Sequence, residues 1–302
     1  MRPVLWTGRL SPSMKVVADI NGLMAWTARK TGDVAGMKAR MKQGYEGVFT
    51  DHVRGYDTFA AECTTRAAAE QVGRVDVAGK EILEVGCGTG ALTLLLLGNG
   101  AGHVTAGDVS TYMLDCAREK AAAVGVGPDR VTFKQADAEA LPHPDGSFDV
   151  VMSSLVLGLV PNQERALAEM VRVARPGGTV IVGAQGPEYF WEGMDATFRT
   201  IDMRSVLAYR AEYWPLTEAK MRTLFTKTGL DGIRVERVFW KNRFANGRET
   251  FDCFSAISSA FWYERIRPEQ REAQARRSRE YFERKGLVEL TEDLVIAWGK
   301  KG

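Results

Sequence analysis

Glu84, three closely spaced glycines and Asp108 are the residues of this chain whose types and order could do chemistry. The stretch EILEVGCGTG, residues 81–90, places Gly86, Gly88 and Gly90 directly after a short apolar run that carries Glu84. Glycines where a strand hands over to a helix permit a tight turn and let a ligand come close to the backbone. The first turn of the following helix then offers unpaired N–H groups. Such a loop suits a nucleotide-like ligand. Dinucleotide enzymes favour G-x-G-x-x-G/A, and here Ala91 stands where the third small residue would fall, so the glycines alone leave the ligand open. Glu84 discriminates: a carboxylate at the ligand mouth repels a diphosphate and suits a cation or an ammonium group.

These residues need a scaffold, and the chain changes character where the scaffold must begin. Residues 14–72 carry apolar residues at helical three- and four-residue steps, with an Ala-rich stretch at 58–72 and no strand signal. From residue 80, short apolar runs alternate with helical stretches: EILEV, HVTAGDV, RVTFKQA, FDVVMSSLVL and TVIVGAQ. That alternation predicts a parallel sheet with helices on both faces. Two later runs, IRVERVFW at 233–240 and EDLVIAWGK at 292–300, flank about 50 residues that read as two helices. In the first of these, Phe251, Phe254, Ile257 and Phe261 fall at helical spacing, which predicts packing onto the sheet. The second is Arg- and Glu-rich and reads as a solvated face.

Composition narrows the function classes. Lys plus Arg total 40 against 38 Asp plus Glu, a net charge of +2, with 45% hydrophobic and 26% charged residues. No basic stripe argues for nucleic acid. The cysteines, Cys63, Cys87, Cys116 and Cys253, have no metal-ligand spacing, so no metal is expected and a reduced, cytoplasmic protein is. The longest apolar run, ALTLLLLG at 91–98, is far short of the ~20 residues of a spanning helix.

The motif E-V-G-C-G-T-G resembles the first motif of the class I S-adenosylmethionine-dependent methyltransferases. Four further features resemble that family in order: Asp108 about 22 residues after Gly86, Asp137 with Ala138 in KQADAEALP, FDVVMSSLVLGLVP, and ARPGGTVIV. Together they cover about residues 80–185. The resemblance implies an α/β, doubly wound, seven-stranded, mostly parallel sheet of Rossmann-like kind whose late runs are strands six and seven, the seventh antiparallel. It implies S-adenosyl-L-methionine as cofactor, with Glu84, Gly86, Cys87, Gly88, Gly90, Asp108, Val109, Met113, Asp137, Ala138 and Ser154 around it. Asp108 would hold the ribose hydroxyls, Asp137 and Ala138 would meet the adenine amino group, and Met113 would pack near the adenine. Asp137 also reads as a simple turn residue, and Met113 as core.

The expected organisation is an N-terminal helical cap over 1–75 and a methyltransferase domain over 76–302, with a helical lid at 241–290. Methyl transfer from a sulfonium is an in-line displacement whose chemistry the cofactor carries, so a general base is needed only where the acceptor must lose a proton. His52 and Tyr56, in FTDHVRGYD, are the candidates for a base and for a side chain covering the cofactor. His103 reads as structural and His143 as surface. The stretch 187–214 is dense in aromatics and reads equally as an acceptor site or as plain packing. The reading is methylation of a small, apolar or aromatic organic acceptor on O, N or C. The alternatives are C-methylation of a prenylated quinone at a membrane surface, and a non-catalytic cofactor-binding protein or a partner-activated subunit that uses the long cap to dimerise. A nicotinamide-dependent oxidoreductase is disfavoured by Glu84.

Overall fold

The structure is a computed structural model that describes residues 57, 63–200, 216–262 and 268–302. The two residues weighed as a base and a cofactor cover, His52 and Tyr56, lie outside the described residues. The elements follow in chain order: helix α1 at 63–72, β1 (Glu81–Val85), α2 (Ala91–Gly98), β2 (His103–Asp108), α3 (Thr111–Ala123), β3 (Val131–Gln135) and β4 (Phe148–Ser154). After these come a 3-10 turn (Leu157–Leu159), α4 (Gln163–Val173), β5 (Ala174–Gln185), α5 (Trp191–Thr200), α6 (Glu218–Thr226), β6 (Leu230–Arg243), α7 (Gly247–Trp262), α8 (Pro268–Lys285) and β7 (Glu289–Lys301). The strands form one seven-stranded sheet in the order β3-β2-β1-β4-β5-β7-β6. Strands β1 to β5 pair in parallel, and β7 runs antiparallel to β5 with Val182 opposite Ala297. The expected seven-stranded sheet with its inverted last strand is therefore observed.

The chain divides into two compact units: Ala61–Gly186, Trp214–Val238 and Leu294–Gly302 make one, and Met1–Ala60, Pro187–Tyr213 and Phe239–Asp293 the other. In the first unit, the period-2 alternation of the strands sorts side chains onto two faces. Leu83, Val85, Val151, Val180 and Val182 share a buried core with Leu167 and Met170 of α4 and with Met221, Leu224 and Phe225 of α6. Helix α4 is started by Asn162, whose Oδ1 accepts from the Arg165 amide at 3.0 Å. The residues between those core positions, Glu84 and Met152 on paired strands, look to the other face.

In the second unit, Phe251 and Phe254 of α7 pack against Phe282 of α8, with ring centroids 5.5 and 5.8 Å apart, and Phe254 also meets Phe190 at 6.4 Å. Helix α8 is less uniformly solvated than its charges suggest. Gln274, Ser278 and Phe282, four residues apart, are fully buried.

Candidate functional site

Strand order reverses between β1 and β4, the switch point where open α/β sheets bind ligands at the carboxyl ends of their strands. The glycine loop lies there. Gly86, Gly88 and Gly90 have φ of 77°, 51° and 90°, a left-handed backbone that side chains resist. Gly86 is required for a second reason, since a Cβ on it would lie 2.3 Å from Val156 Cγ2.

The loop amides are largely used within the protein. Gly86 and Cys87 donate to the Gly107 carbonyl at 2.7 and 2.9 Å, and Gly90 donates to Cys87 O at 2.9 Å. The Gly88 amide donates to Asp108 Oδ2 at 2.8 Å. Asp108 Oδ1 accepts from the Ser110 amide at 2.9 Å, so one carboxylate ties the end of β2 both to the loop and to the start of α3. A diphosphate would find these N–H groups occupied, which removes the main attraction of such a loop for a dinucleotide.

Two carboxyl groups stand at this edge, and register places them on one face. Glu84 pairs with Ala106, and Asp108 is two residues further along β2. Glu84 is only 2% exposed and accepts a very short hydrogen bond from the Thr93 hydroxyl. Burial pushes its pKa from 4.5 up to about 8; the Thr93 bond opposes this, and the nearby Asp108 charge adds to it. Asp108 is also raised, by desolvation first, against the amide bonds from Ser110, Gly88 and Val109. The Cys87 thiol is buried and pushed further from ionisation by burial and by both carboxylates. A buried acid whose charged neighbour is another acid is electrostatically short of a cation. An ammonium or sulfonium ligand supplies one.

The remaining predicted residues surround the same edge. Met113 is buried in the first turns of α3, and its amide donates to Ser110 Oγ at 3.3 Å. Val109 follows Asp108, and its carbonyl accepts from Gln135 Nε2 at 2.9 Å. Asp137, beside Ala138, has a turn role, its Oδ1 accepting the Glu139 amide at 3.1 Å. Ser154 ends β4 and its Oγ accepts from Gln71 Nε2 at 2.7 Å.

Two histidines lie away from this edge. His103 opens β2, near Thr132 (3.1 Å) and Glu81 (3.8 Å). His143 differs from the surface expectation. It is half-buried, its ring edge-on to Phe148 at 5.2 Å, and its pKa is lowered by desolvation and then by Lys134 and Arg172. In the aromatic stretch, Phe190 is buried with a left-handed φ of 52°, Tyr189 stacks on it at 4.3 Å, and Trp191 donates to Thr291 Oγ1 at 3.2 Å. These three take part in packing, while Tyr209, Tyr213 and Trp214 lie outside the described residues. Among the described residues no group of three or more His, Cys, Asp or Glu could hold a metal, and no helix is long and apolar enough to cross a membrane.

The sequence reading passed over Gln71, Thr93, Gln185 and the turn at Leu155–Val156. Leu155 has φ 61°, and its carbonyl accepts from Gln185 Nε2 at 3.0 Å. One signal was present. A glycine inside a buried strand marks a close approach, and Gly183 in TVIVGAQ is where Gln71 lies against the sheet.

Comparison with known proteins agrees with this geometry. Residues 83–182 match a family model described as a methyltransferase domain. The chain is 37% identical over 155 residues to a demethylmenaquinone methyltransferase of Clavibacter sepedonicus, covering 51% of this chain and 59% of that protein. It is 42% identical over 107 residues to the ubiquinone/menaquinone biosynthesis C-methyltransferase UbiE of Hahella chejuensis, covering 35% and 43%. The chain thus spans about half the length of these curated relatives. The crystal structure of YcgJ from Bacillus subtilis shares the fold, with a TM-score of 0.56 and 17% identity over 78% of this chain and 98% of that one. Residues 83–182 therefore match a methyltransferase domain in sequence, and the sheet around them shares the fold of YcgJ.

Proposed function

We propose that this chain binds S-adenosyl-L-methionine at the β1–β2–β4 edge and transfers its methyl group to a small, apolar or aromatic organic acceptor. The observation that carries the reading is the pairing of satisfied loop amides with two carboxyl groups short of a cation. Glu84 accepts from the ammonium group directly or through water, and Asp108 accepts from the ribose hydroxyls. Val109, Met113, Asp137 and Ala138 line the adenine side; Cys87 and the three glycines let the cofactor lie against bare backbone; Ser154 borders the methionine end. When bound, the cofactor supplies an electrophilic methyl group on a sulfonium. The protein orients the two partners and excludes water. Cytoplasmic location, independence of nucleic acid and a homodimeric state belong to the same reading, as do the 1–75 cap and the role of 241–290 as a lid.

Calorimetric titration tests the donor half of the proposal. S-adenosylhomocysteine is expected to bind and NAD is not; the reverse result overturns the reading. Turnover measured beside the titration separates an enzyme from a cofactor-binding subunit.

A second reading is favoured by the two curated relatives: C-methylation of a prenylated quinone at a membrane surface. It predicts cosedimentation with vesicles carrying such a quinone and methyl transfer on the vesicle. A protein that stays in the supernatant and methylates only short, water-soluble acceptors contradicts it.

A further inference from the structure

Among the described residues, two buried amide oxygens beside the end of β4 have no hydrogen-bond partner: Oε1 of Gln71 and Oε1 of Gln185. Both side chains are interior, at 0% and 6% exposure. Which end of each amide is oxygen is fixed by its partners. Gln71 Nε2 donates to the Ala67 carbonyl at 3.3 Å and to Ser154 Oγ at 2.7 Å. Gln185 Nε2 donates to the Leu155 carbonyl at 3.0 Å. A carbonyl accepts only, so the NH2 groups must face 67 and 155, and the oxygens are left over.

The two amides share one face of the sheet. The Gln71 amide lies over Gly183, its Cδ 2.5 Å from where a Cβ would stand. Gln185 is two residues further along β5, on the same face and ~7 Å away along the strand. Ser154 pairs with Gly183 and presents a hydroxyl on that face too. Met152 pairs with Glu84, so the face is also that of the two carboxyl groups. A buried acceptor left unmatched is costly, and two of them side by side at a ligand edge point to a ligand with donors. Asp108 and Glu84 lie over β2 and β1, whereas the amides lie over β4 and β5, on the far side of the switch point from Asp108.

We propose that Gln71 and Gln185 are specificity-determining residues that each accept a hydrogen bond from a separate hydroxyl group of the methyl acceptor, selecting hydroxylated acceptors over their ethers. The inference rests on the proposed methyl transfer for the name of the ligand. A site built to receive an O–H rejects the analogue lacking it far more strongly than an apolar pocket rejects a change in size.

The test uses the whole chain, 1,5-dihydroxynaphthalene and 1,5-dimethoxynaphthalene as probes, and protein fluorescence as readout, with and without S-adenosylhomocysteine. The wild type is expected to bind the dihydroxynaphthalene at least ten-fold more tightly than the ether. Gln71→Met and Gln185→Met are each expected to narrow that ratio three-fold or more while the Kd of S-adenosylhomocysteine stays within two-fold. Gln185→Glu, which keeps an accepting oxygen, is expected to retain the preference. A wild type without preference overturns the proposal without any variant having to fold. A preference untouched by either methionine substitution also overturns it, as does a loss of S-adenosylhomocysteine affinity in step with the ratio, which would give the amides to the donor. Failure of the wild type to bind S-adenosylhomocysteine sinks the methyl-transfer reading instead, whatever the naphthalene ratio shows.

Discussion

Asp108 accepts the amide of Gly88 at 2.8 Å across the glycine loop, so the acid at the end of β2 holds the backbone that a phosphate would otherwise occupy. The loop is thereby set for a ligand that wants acceptors. We predict that Asp108→Ala weakens S-adenosylhomocysteine binding by about 1–3 kcal/mol, the loss expected for a charged hydrogen bond. Calorimetry checks it; unchanged affinity would remove Asp108 from the binding residues.

Glu84 makes binding proton-linked. With its pKa at about 8, the free protein holds Glu84 mostly protonated at pH 7. A bound ammonium favours the carboxylate and lowers that pKa. Binding therefore releases up to one proton, and affinity rises with pH until it levels near 8. Titrations at pH 7 in buffers of different ionisation enthalpy measure the release. Glu84→Gln should abolish the linkage and weaken binding.

The same residue lowers stability in the ligand-free protein. Between the unfolded value of 4.5 and the folded value of about 8, the folded state keeps a proton that the unfolded state has lost. Stability contributed by the neutral acid is thus full below about pH 4.5 and lost as pH rises to 8. Glu84→Gln keeps an acceptor for Thr93 and has no proton to lose. We predict that it raises ligand-free stability at pH 8 by on the order of 4 kcal/mol and leaves it nearly unchanged at pH 4.5. Denaturant melts at the two pH values decide; equal effects at both contradict the assignment.

Gly86 and Gly88 should behave differently despite similar backbones. At Gly88 a Cβ meets nothing within 4 Å, so Gly88→Ala costs only the left-handed strain of about 1–2 kcal/mol. At Gly86 the Cβ also strikes Val156, adding about 1–3 kcal/mol of overpacking. Val156→Ala in the Gly86→Ala background should recover part of that added cost. Additive losses in the double-mutant cycle would show that Val156 is not the obstacle.

The sequence alone determined the parallel α/β core and which candidate residues stand at the ends of its early strands. Strand alternation, glycines needing φ above zero and acids at strand ends are local in the chain. Gly86, Gly88, Gly90, Glu84 and Asp108 fall within 25 residues of one another, and each was legible from its neighbours. Tertiary structure decided what those residues lack and what else faces them. The Glu84 pKa depends on burial and on Thr93 and Asp108, and a carboxyl group's dielectric surroundings are not written in its flanking residues. Gln71 reads as one more polar residue of an Ala-rich helix until that helix is laid over Gly183, more than a hundred positions later. Gln185 ends a strand like many others until Leu155 turns left-handed beneath it. The Phe251–Phe282 packing likewise required α7 and α8 to meet. Side-chain periodicity reveals which face is apolar, but the surface that covers it is chosen by chain segments far away in sequence.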